Sequence, residues 1–384
     1  MTHLKTIVVV GGSYVGTYAV DLLAPQVYKS HQVVLIEKNS HIHHIFAFPR
    51  ISVVPGFEHK AFIPLTNAFH AAPRDSVSVI QGIVENILSD CVVLDDGQSI
   101  PYDYLVVATG TGRPPLALTS KPDETNSKKG LQQRLRQSEE VVVVGGGGYG
   151  LQLAFDAKEF YRTKNITLIH SRTQLMRRFH PQLHAIVLAR AEALGIRLIL
   201  GKRATIPVGG FPVSGPRYNV ELVPADLAFA CTGAVALSGP LHAVSPHSVH
   251  ARTHEILVKP TMQIIDSRFP RVFAVGDVAA ANAHKAVGPG RRQAAVAVGN
   301  IVQMIRGCSA NNVYVPGARK IRLSLGLHSY VTFTNPTQEN REPTVEFVDL
   351  GDGTHDEAEV ARLFECRVQS VWERRALGVT DSYL

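Results

Sequence analysis

Two glycine-rich turns, each entered from a run of β-branched residues, carry the chemistry legible in this 384-residue chain. The first is Thr6-Ile7-Val8-Val9-Val10 leading into Gly11-Gly12-Ser13-Tyr14-Val15-Gly16. The second is Val141-Val142-Val143-Val144 leading into Gly145-Gly146-Gly147-Gly148-Tyr149-Gly150. A continuous β-branched run is the signature of a strand buried on both faces in a parallel sheet. A glycine turn after it lets the next helix start against a pyrophosphate, with free N–H groups and the helix dipole aimed at the anion. Two such turns at domain spacing predict two dinucleotides on one chain, and hence a flavin exchanging electrons with a nicotinamide.

Around the first turn, Glu37 ends the next strand, about 20 residues beyond Gly16, where an acid hydrogen-bonds the ribose of an adenosine. Ser13 stands at the middle glycine position, and its small side chain still admits a pyrophosphate. The second turn keeps its glycines (Gly145, Gly147, Gly150), but the following strand Ile166–Ile169 ends in His170-Ser171-Arg172 in place of an acid. A carboxylate there would repel a ribose 2′-phosphate, whereas a cation and a hydroxyl favour one, so the pattern favours NADPH over NADH. Phe155, one turn into the second helix, either narrows the nicotinamide pocket or faces the core. Gly276-Asp277 closes another buried strand, where open α/β sheets bind ligands, and the helix expected at about 291–306 would point its positive end at the same place. His41, His43 and His44 lack helical ligand spacing and an accompanying carboxylate or cysteine, so no metal is expected and an aromatic pocket with Phe46 and Phe48 fits better.

The elements that must position these residues follow the same plan twice. Strands are expected at 5–10 and 33–37, with a helix at 16–24 stopped by Pro25 between them. A loop runs from Asn39 to Pro64, a strand and hairpin occupy 77–95, and Leu105–Gly110 is a buried strand. The Pro-, Ser- and Lys-rich stretch 113–130 reads as a linker. The pattern then restarts with strands at 141–144, 166–170 and 196–200, helices at 150–162 and 182–194, and a strand ending in Thr232-Gly233. Residues 310–384 are more polar, with strands at 321–333 and 344–348 and a helix at 356–365. The fold class is therefore α/β, with two Rossmann-like domains and a small α+β unit at the C-terminal end.

Composition narrows the function classes. Lysine and arginine exceed aspartate and glutamate by 39 to 32, but the cations are scattered, with no like-charge run of the kind that marks a nucleic-acid surface. Two polyanionic cofactors are the simpler use of that excess. The four cysteines (Cys91, Cys231, Cys308, Cys366) form no C-x-x-C pair, which argues for a reducing compartment and against a dithiol relay. Thr2 stands where myristoylation needs a glycine, and no apolar run has membrane-spanning length. The expected location is cytoplasmic, with at most peripheral membrane contact.

Val8–Gly16, His41–Arg50, His59–Pro64, Ala108-Thr109-Gly110, Val141–Gly150, Val272–Asp277 and Gln369–Arg375 together resemble the apoptosis-inducing-factor-like flavoproteins of the ferroptosis-suppressor type. That resemblance implies an NAD(P)H:quinone oxidoreductase holding FAD at Gly11, Gly12, Ser13, Tyr14, Val15 and Gly16, with Glu37, Arg50, Val84, Thr109, Gly110, Gly276 and Asp277. It implies NADPH or NADH in the domain opened by Gly145–Gly150. Where the family pattern is Glu-Leu-Ala-Gly-Glu, this chain has Gln152-Leu153-Ala154-Phe155-Asp156.

The expected organisation is a discontinuous FAD domain at 1–117 and 255–308, an NAD(P)H domain at 118–254 and a C-terminal domain at 309–384. The expected reaction is hydride transfer from the nicotinamide through the flavin to a small organic acceptor such as a quinone. His43, Arg50 and Lys60 are candidate polarisers of that acceptor. Two other readings stay open: a specialised-metabolism flavoenzyme with one natural-product substrate, and an FAD-containing binding or signalling protein with little turnover.

Overall fold

The computed structural model describes residues 4–112, 121–208, 210–212, 216–350 and 368–379. Its main elements, in chain order, are β1 (Lys5–Val10), α1 (Tyr14–Val27), β2 (His31–Glu37), α2 (Phe48–Ile51), β3 (Val77–Gln81) and β4 (Tyr104–Val107). Then come α3 (Lys121–Gln137), β5 (Glu140–Val144), α4 (Gly148–Phe160), β6 (Asn165–His170), α5 (Pro181–Leu194), β7 (Arg197–Leu200) and β8 (Leu227–Ala230). The chain continues with β9 (Val272–Ala274), α6 (Val287–Ile305), β10 (Lys320–Ser324), β11 (Ser329–Thr334) and β12 (Thr344–Asp349).

A five-stranded parallel sheet has the order β9-β4-β1-β2-β3. Its centre is apolar on both faces, as the β-branched runs require: Ile7, Val8 and Val9 are fully buried, as are Leu105 and Val106. A four-stranded parallel sheet, β7-β6-β5-β8, repeats the inner part of this order, with β5 in the place of β1 and β6 in the place of β2. Strand β9 returns to the first sheet only after the second is complete.

The third layer is an antiparallel sheet, β10-β11-β12. Alternate residues Leu323, Val331 and Phe333 are buried and join the core beneath α4 and α5. Its first turn passes through Gly326 at φ +120°, where a side chain would collide with the Glu159 carboxylate.

Several expectations change in detail. Residues 121–130 are not linker but the start of α3, whose exposed face is polar and whose buried residues are Lys121, Thr125, Gln132 and Leu135. Pro122, Asp123 and Glu124 in the first turn are helix-start residues, and they outweigh the loop-like composition. Pro25 does not stop α1, which runs two residues further; so near the end, the lost N–H bond is one of the last in the helix. Helix α6 starts at Val287, four residues earlier than expected, because proline is tolerated in a first turn. Gly290 is needed there, since a Cβ would sit 2.6 Å from the Val15 side chain. The single strand expected at 321–333 is the β10-β11 hairpin. The helix expected at 356–365 lies outside the described residues.

Candidate functional site

In the first turn, Gly11 takes φ +105° and Gly16 lies so close to the Gly11 carbonyl that any Cβ would overlap it. The turn is therefore tight, and α1 begins directly behind it, packed against the turn's own backbone. Glu37 closes the turn from the end of β2. Its Oε2 accepts from the Gly12 N–H, and its Oε1 accepts from the N–H (3.0 Å) and the side-chain amide (2.7 Å) of Asn39.

A cavity of about 560 Å³ opens beside it, lined by Gly11, Glu37, Val84, Thr109, Leu237 and His254 among others. Its walls are largely apolar, with one carboxylate at the edge, which suits an adenine ring and its ribose. Val84 and Thr109 line this cavity together with Glu37. The Thr109 hydroxyl donates to the Leu237 carbonyl (2.8 Å), and Gly110 follows at φ +68°. Across the sheet, the Gly276 N–H donates to Gln293 Oε1 (2.8 Å). Burial pushes the Asp277 carboxyl up from its ordinary value, and the Lys285 charge only partly offsets this. Lys285 donates to the Asp277 carbonyl and is ion-paired with Glu255.

The second turn is built the same way. Gly145 takes φ +121°, and Gly150 has room for no Cβ against the Gly145 carbonyl. The Gly146 N–H donates to His170 Nδ1 at 3.0 Å, so an imidazole fills the place that Glu37 fills in the first copy. Burial lowers the His170 pKa and the Arg172 charge lowers it further, which keeps the ring neutral with its other nitrogen as the donor.

From this turn a cleft of about 1030 Å³ extends across the molecule. One side is formed by Gly145–Tyr149, Gln152 and His170–Arg172, and the other by Ile45, Phe46, Pro49 and Lys285-Ala286. Ala286 is the N-cap of α6 and Gly147 that of α4, so two helix N-termini meet one cavity. Arg172, Arg177, Arg178, Lys202, Arg203 and Arg322 also line it, and among the described residues no aspartate or glutamate does. The backbone bonds Gly201 N–H to Arg172 O (2.9 Å) and Lys202 N–H to His170 O (3.1 Å) hold the two cationic strand ends together. Lys202 and Arg203 were not expected; they follow β7 directly, and the Rossmann strand order alone puts that end beside His170.

The segment 41–62 holds the remaining candidates, and His43, Arg50 and Lys60 do not line the cleft. His43 lies between Phe48 (5.6 Å) and Phe62 (5.2 Å), and burial pushes its pKa down to about 3. Lys60 sits over the Phe57 ring (5.5 Å), burial lowers its pKa, and its carbonyl accepts from Trp372 Nε1 (2.7 Å). Trp372 thus belongs to the aromatic packing of Phe48, Phe57 and Phe62. Arg50 is 1% exposed, and each nitrogen of its guanidinium is engaged. Nε and Nη2 donate to the two Asp156 oxygens (2.9 and 3.1 Å), Nη2 also to Gly326 O (2.9 Å) and Nη1 to Leu327 O (3.3 Å). The structure does not support the expectation that Arg50 polarises an acceptor or reaches a flavin: the guanidinium is buried outside the cleft lining, and four of its five N–H donors are bonded to protein acceptors. Of the three histidines, His44 shares a bond with the Tyr14 hydroxyl (2.8 Å), and His41 with Ser40 (2.8 Å). Phe155 is buried in the core beneath β5 rather than in the cleft.

The two cofactors fit what the residues offer. Gly16 and Gly150 let each helix pack against its turn, and at Gly147 on the cleft a Cβ would meet nothing within 4 Å, so the backbone there is open to a pyrophosphate. Gln152 Nε2 is buried at the cleft with no partner among the described residues, a donor suited to the carbonyl of a nicotinamide carboxamide.

Residues 5–299 match the model of the pyridine nucleotide-disulphide oxidoreductase family, and the chain belongs to that family. Fe-regulated protein 8 of Mycosarcoma maydis is 32% identical over 412 residues, covering 98% of this chain and 96% of that protein. Ferroptosis suppressor protein 1 of Xenopus laevis is 28% identical over 338 residues, covering 83% and 86% respectively. Among solved structures, the sulfide:quinone oxidoreductase of Aquifex aeolicus superposes with a TM-score of 0.73 at 18% identity, covering 98% of this chain and 93% of that one. The protein is accordingly an FAD-dependent NAD(P)H oxidoreductase of the apoptosis-inducing-factor-like type. No helix among the described residues is long and apolar enough to cross a membrane.

Proposed function

We propose that the protein passes reducing equivalents from NADPH, through FAD, to a flat organic acceptor of the quinone type. The observation that carries this reading is the single cleft walled both by the Gly145–Tyr149 turn and by Phe46 and Ala286, which belong to the first-sheet half. Bound there, the nicotinamide supplies a hydride and the flavin stores it for the acceptor.

The chain's own work is positioning. The first turn and Glu37 fix one nucleotide, with the adenosine in the cavity at Val84. The second turn, at the N-terminus of α4, fixes the pyrophosphate of the other. His170, neutral, removes the carboxylate that would oppose a 2′-phosphate, and Arg172 and Arg203 supply the opposite charge at the cleft mouth. Gln152 orients the carboxamide end. The N-terminus of α6 at Ala286 faces the cleft with positive potential, where negative charge develops on flavin reduction. Ile45 and Phe46, exposed at the lip, offer apolar surface to an aromatic acceptor and favour it over a small ion.

The test is anaerobic mixing of the purified yellow protein with NADPH or NADH, followed by a panel of quinones. Bleaching by NADPH, faster than by NADH, and recovery of colour on adding a quinone are expected. Colour that no nicotinamide removes would end this reading.

A further inference from the structure

We infer that Arg50 and Asp156 form a positioning clamp that sets the spacing between the two cofactor-bearing halves, rather than taking part in the chemistry; this rests on the proposed reaction. Three parts of the chain end on the one guanidinium. Arg50 lies on α2, next to Pro49, which lines the cleft together with Ile45 and Phe46 just before the helix. Asp156 lies on α4, one turn beyond Gln152, the residue whose free amide faces the cleft. Gly326 and Leu327 form the β10-β11 turn, and that turn is held a second time by Glu159, which accepts from the Leu327 N–H and lies 3.5 Å from Arg190.

The geometry is bidentate and dry: Arg50 is 1% and Asp156 0% exposed. Nothing on α2 or α4 could slide without breaking two parallel bonds at once. A pair of this kind is weak evidence for stability, because apolar side chains of similar volume often replace it at no cost. Its bonds do fix direction, which apolar packing does not. The wall that meets one cofactor and the helix that carries the other are thus held in one register, and hydride transfer is sensitive to that register, since about 1 Å of misplacement can cost roughly a hundredfold.

The experiment separates position from stability. The paired variant Arg50→Met with Asp156→Leu is compared with Arg50→Lys and the parent protein. Four quantities are followed: thermal midpoint, FAD content, the NADPH dissociation constant, and the long-wavelength absorbance formed when NADP⁺ is added to the photoreduced protein. Flavin reduction at saturating NADPH is timed separately. For the paired variant the expected result is a folded protein with a midpoint lowered modestly, because the Gly326 and Leu327 carbonyls lose their donor, unchanged FAD content, an NADPH dissociation constant within about twofold of the parent, a weakened long-wavelength band and reduction slowed about tenfold or more. Arg50→Lys, which keeps the charge but loses the fork, should be slowed as well, and it serves as the deciding variant if the paired one does not fold. A parental band and rate in a folded variant would overturn the clamp. Failure of NADPH to reduce the parent protein would instead overturn the proposed reaction.

Discussion

His170 Nδ1 accepts a hydrogen bond from the Gly146 backbone at 3.0 Å, at the position where the other copy of the turn uses a carboxylate. The two sockets share glycine geometry and strand order and differ in charge at that one strand end. Replacing the imidazole by an acid, His170→Glu, should convert the second socket toward the first. NADPH efficiency is expected to fall about tenfold or more while NADH is spared or improved, each tenfold being ~1.4 kcal/mol. The ratio of kcat/KM for the two nucleotides is the measurement. An unchanged ratio would show that His170 does not read the ribose.

Arg172 and Arg203 offer the complementary test. Both are exposed at the mouth of a cleft with no carboxylate among its described lining residues. Hydrogen bonds to a charged group contribute about 1.5–3 kcal/mol, so Arg172→Ala with Arg203→Ala should weaken 2′,5′-ADP binding by one to two orders of magnitude. Binding of 5′-AMP, which lacks the second phosphate, should barely change. Calorimetric titration of both compounds decides the matter, and equal losses would assign the arginines a general role in place of phosphate recognition.

Gly16 tolerates no side chain, because a Cβ would overlap the Gly11 carbonyl. Gly16→Val is expected to yield colourless protein, or protein that takes up FAD only at much higher concentration. The flavin-to-protein absorbance ratio measures this directly. A yellow, fully loaded variant would mean that the turn has a different shape in solution.

Acid should destabilise the fold through His43. Its pKa is pushed from 6.5 in the open chain to about 3 in the folded protein, chiefly by burial. Between those values the unfolded state binds the extra proton, so stability is fully present above pH 6.5 and is lost as pH falls toward 3. Burial also lowers His31, His59, His170 and His284, which adds to the trend in the same direction. The thermal midpoint should therefore drop below about pH 6.5, and His43→Phe should make that slope shallower. A variant with the parental slope would remove His43 as a contributor.

Gly326→Ala combines two penalties: φ +120° and a collision with the Glu159 carboxylate. A loss of more than ~1–2 kcal/mol is expected from the backbone alone. Denaturant unfolding gives the number, and a neutral result would require the hairpin turn to relax.

The parallel strands were readable because a strand buried on both faces needs an unbroken apolar run, as in Val141–Val144. The glycine turns were readable because their constraint is local: Gly16 must clear an oxygen five residues away. Helix α3 was hidden by Ser127 and Gly130, residues that suit loops as well as an exposed helix face. The role of Arg50 was hidden for a different reason. Its partners lie 106, 276 and 277 positions away, and a pairing of that range leaves no periodicity to read. Lys202 and Arg203 are likewise brought to His170 by sheet order, which a single sequence does not spell out.

The position of Gly326 and Leu327 has a consequence for biosynthesis. Two of the acceptors for Arg50 emerge from the ribosome only after both nucleotide-binding sheets have been made, and domains tend to fold as they appear. Until the β10-β11 hairpin arrives, a nascent chain can offer that guanidinium only Asp156, so two of its four bonds form last.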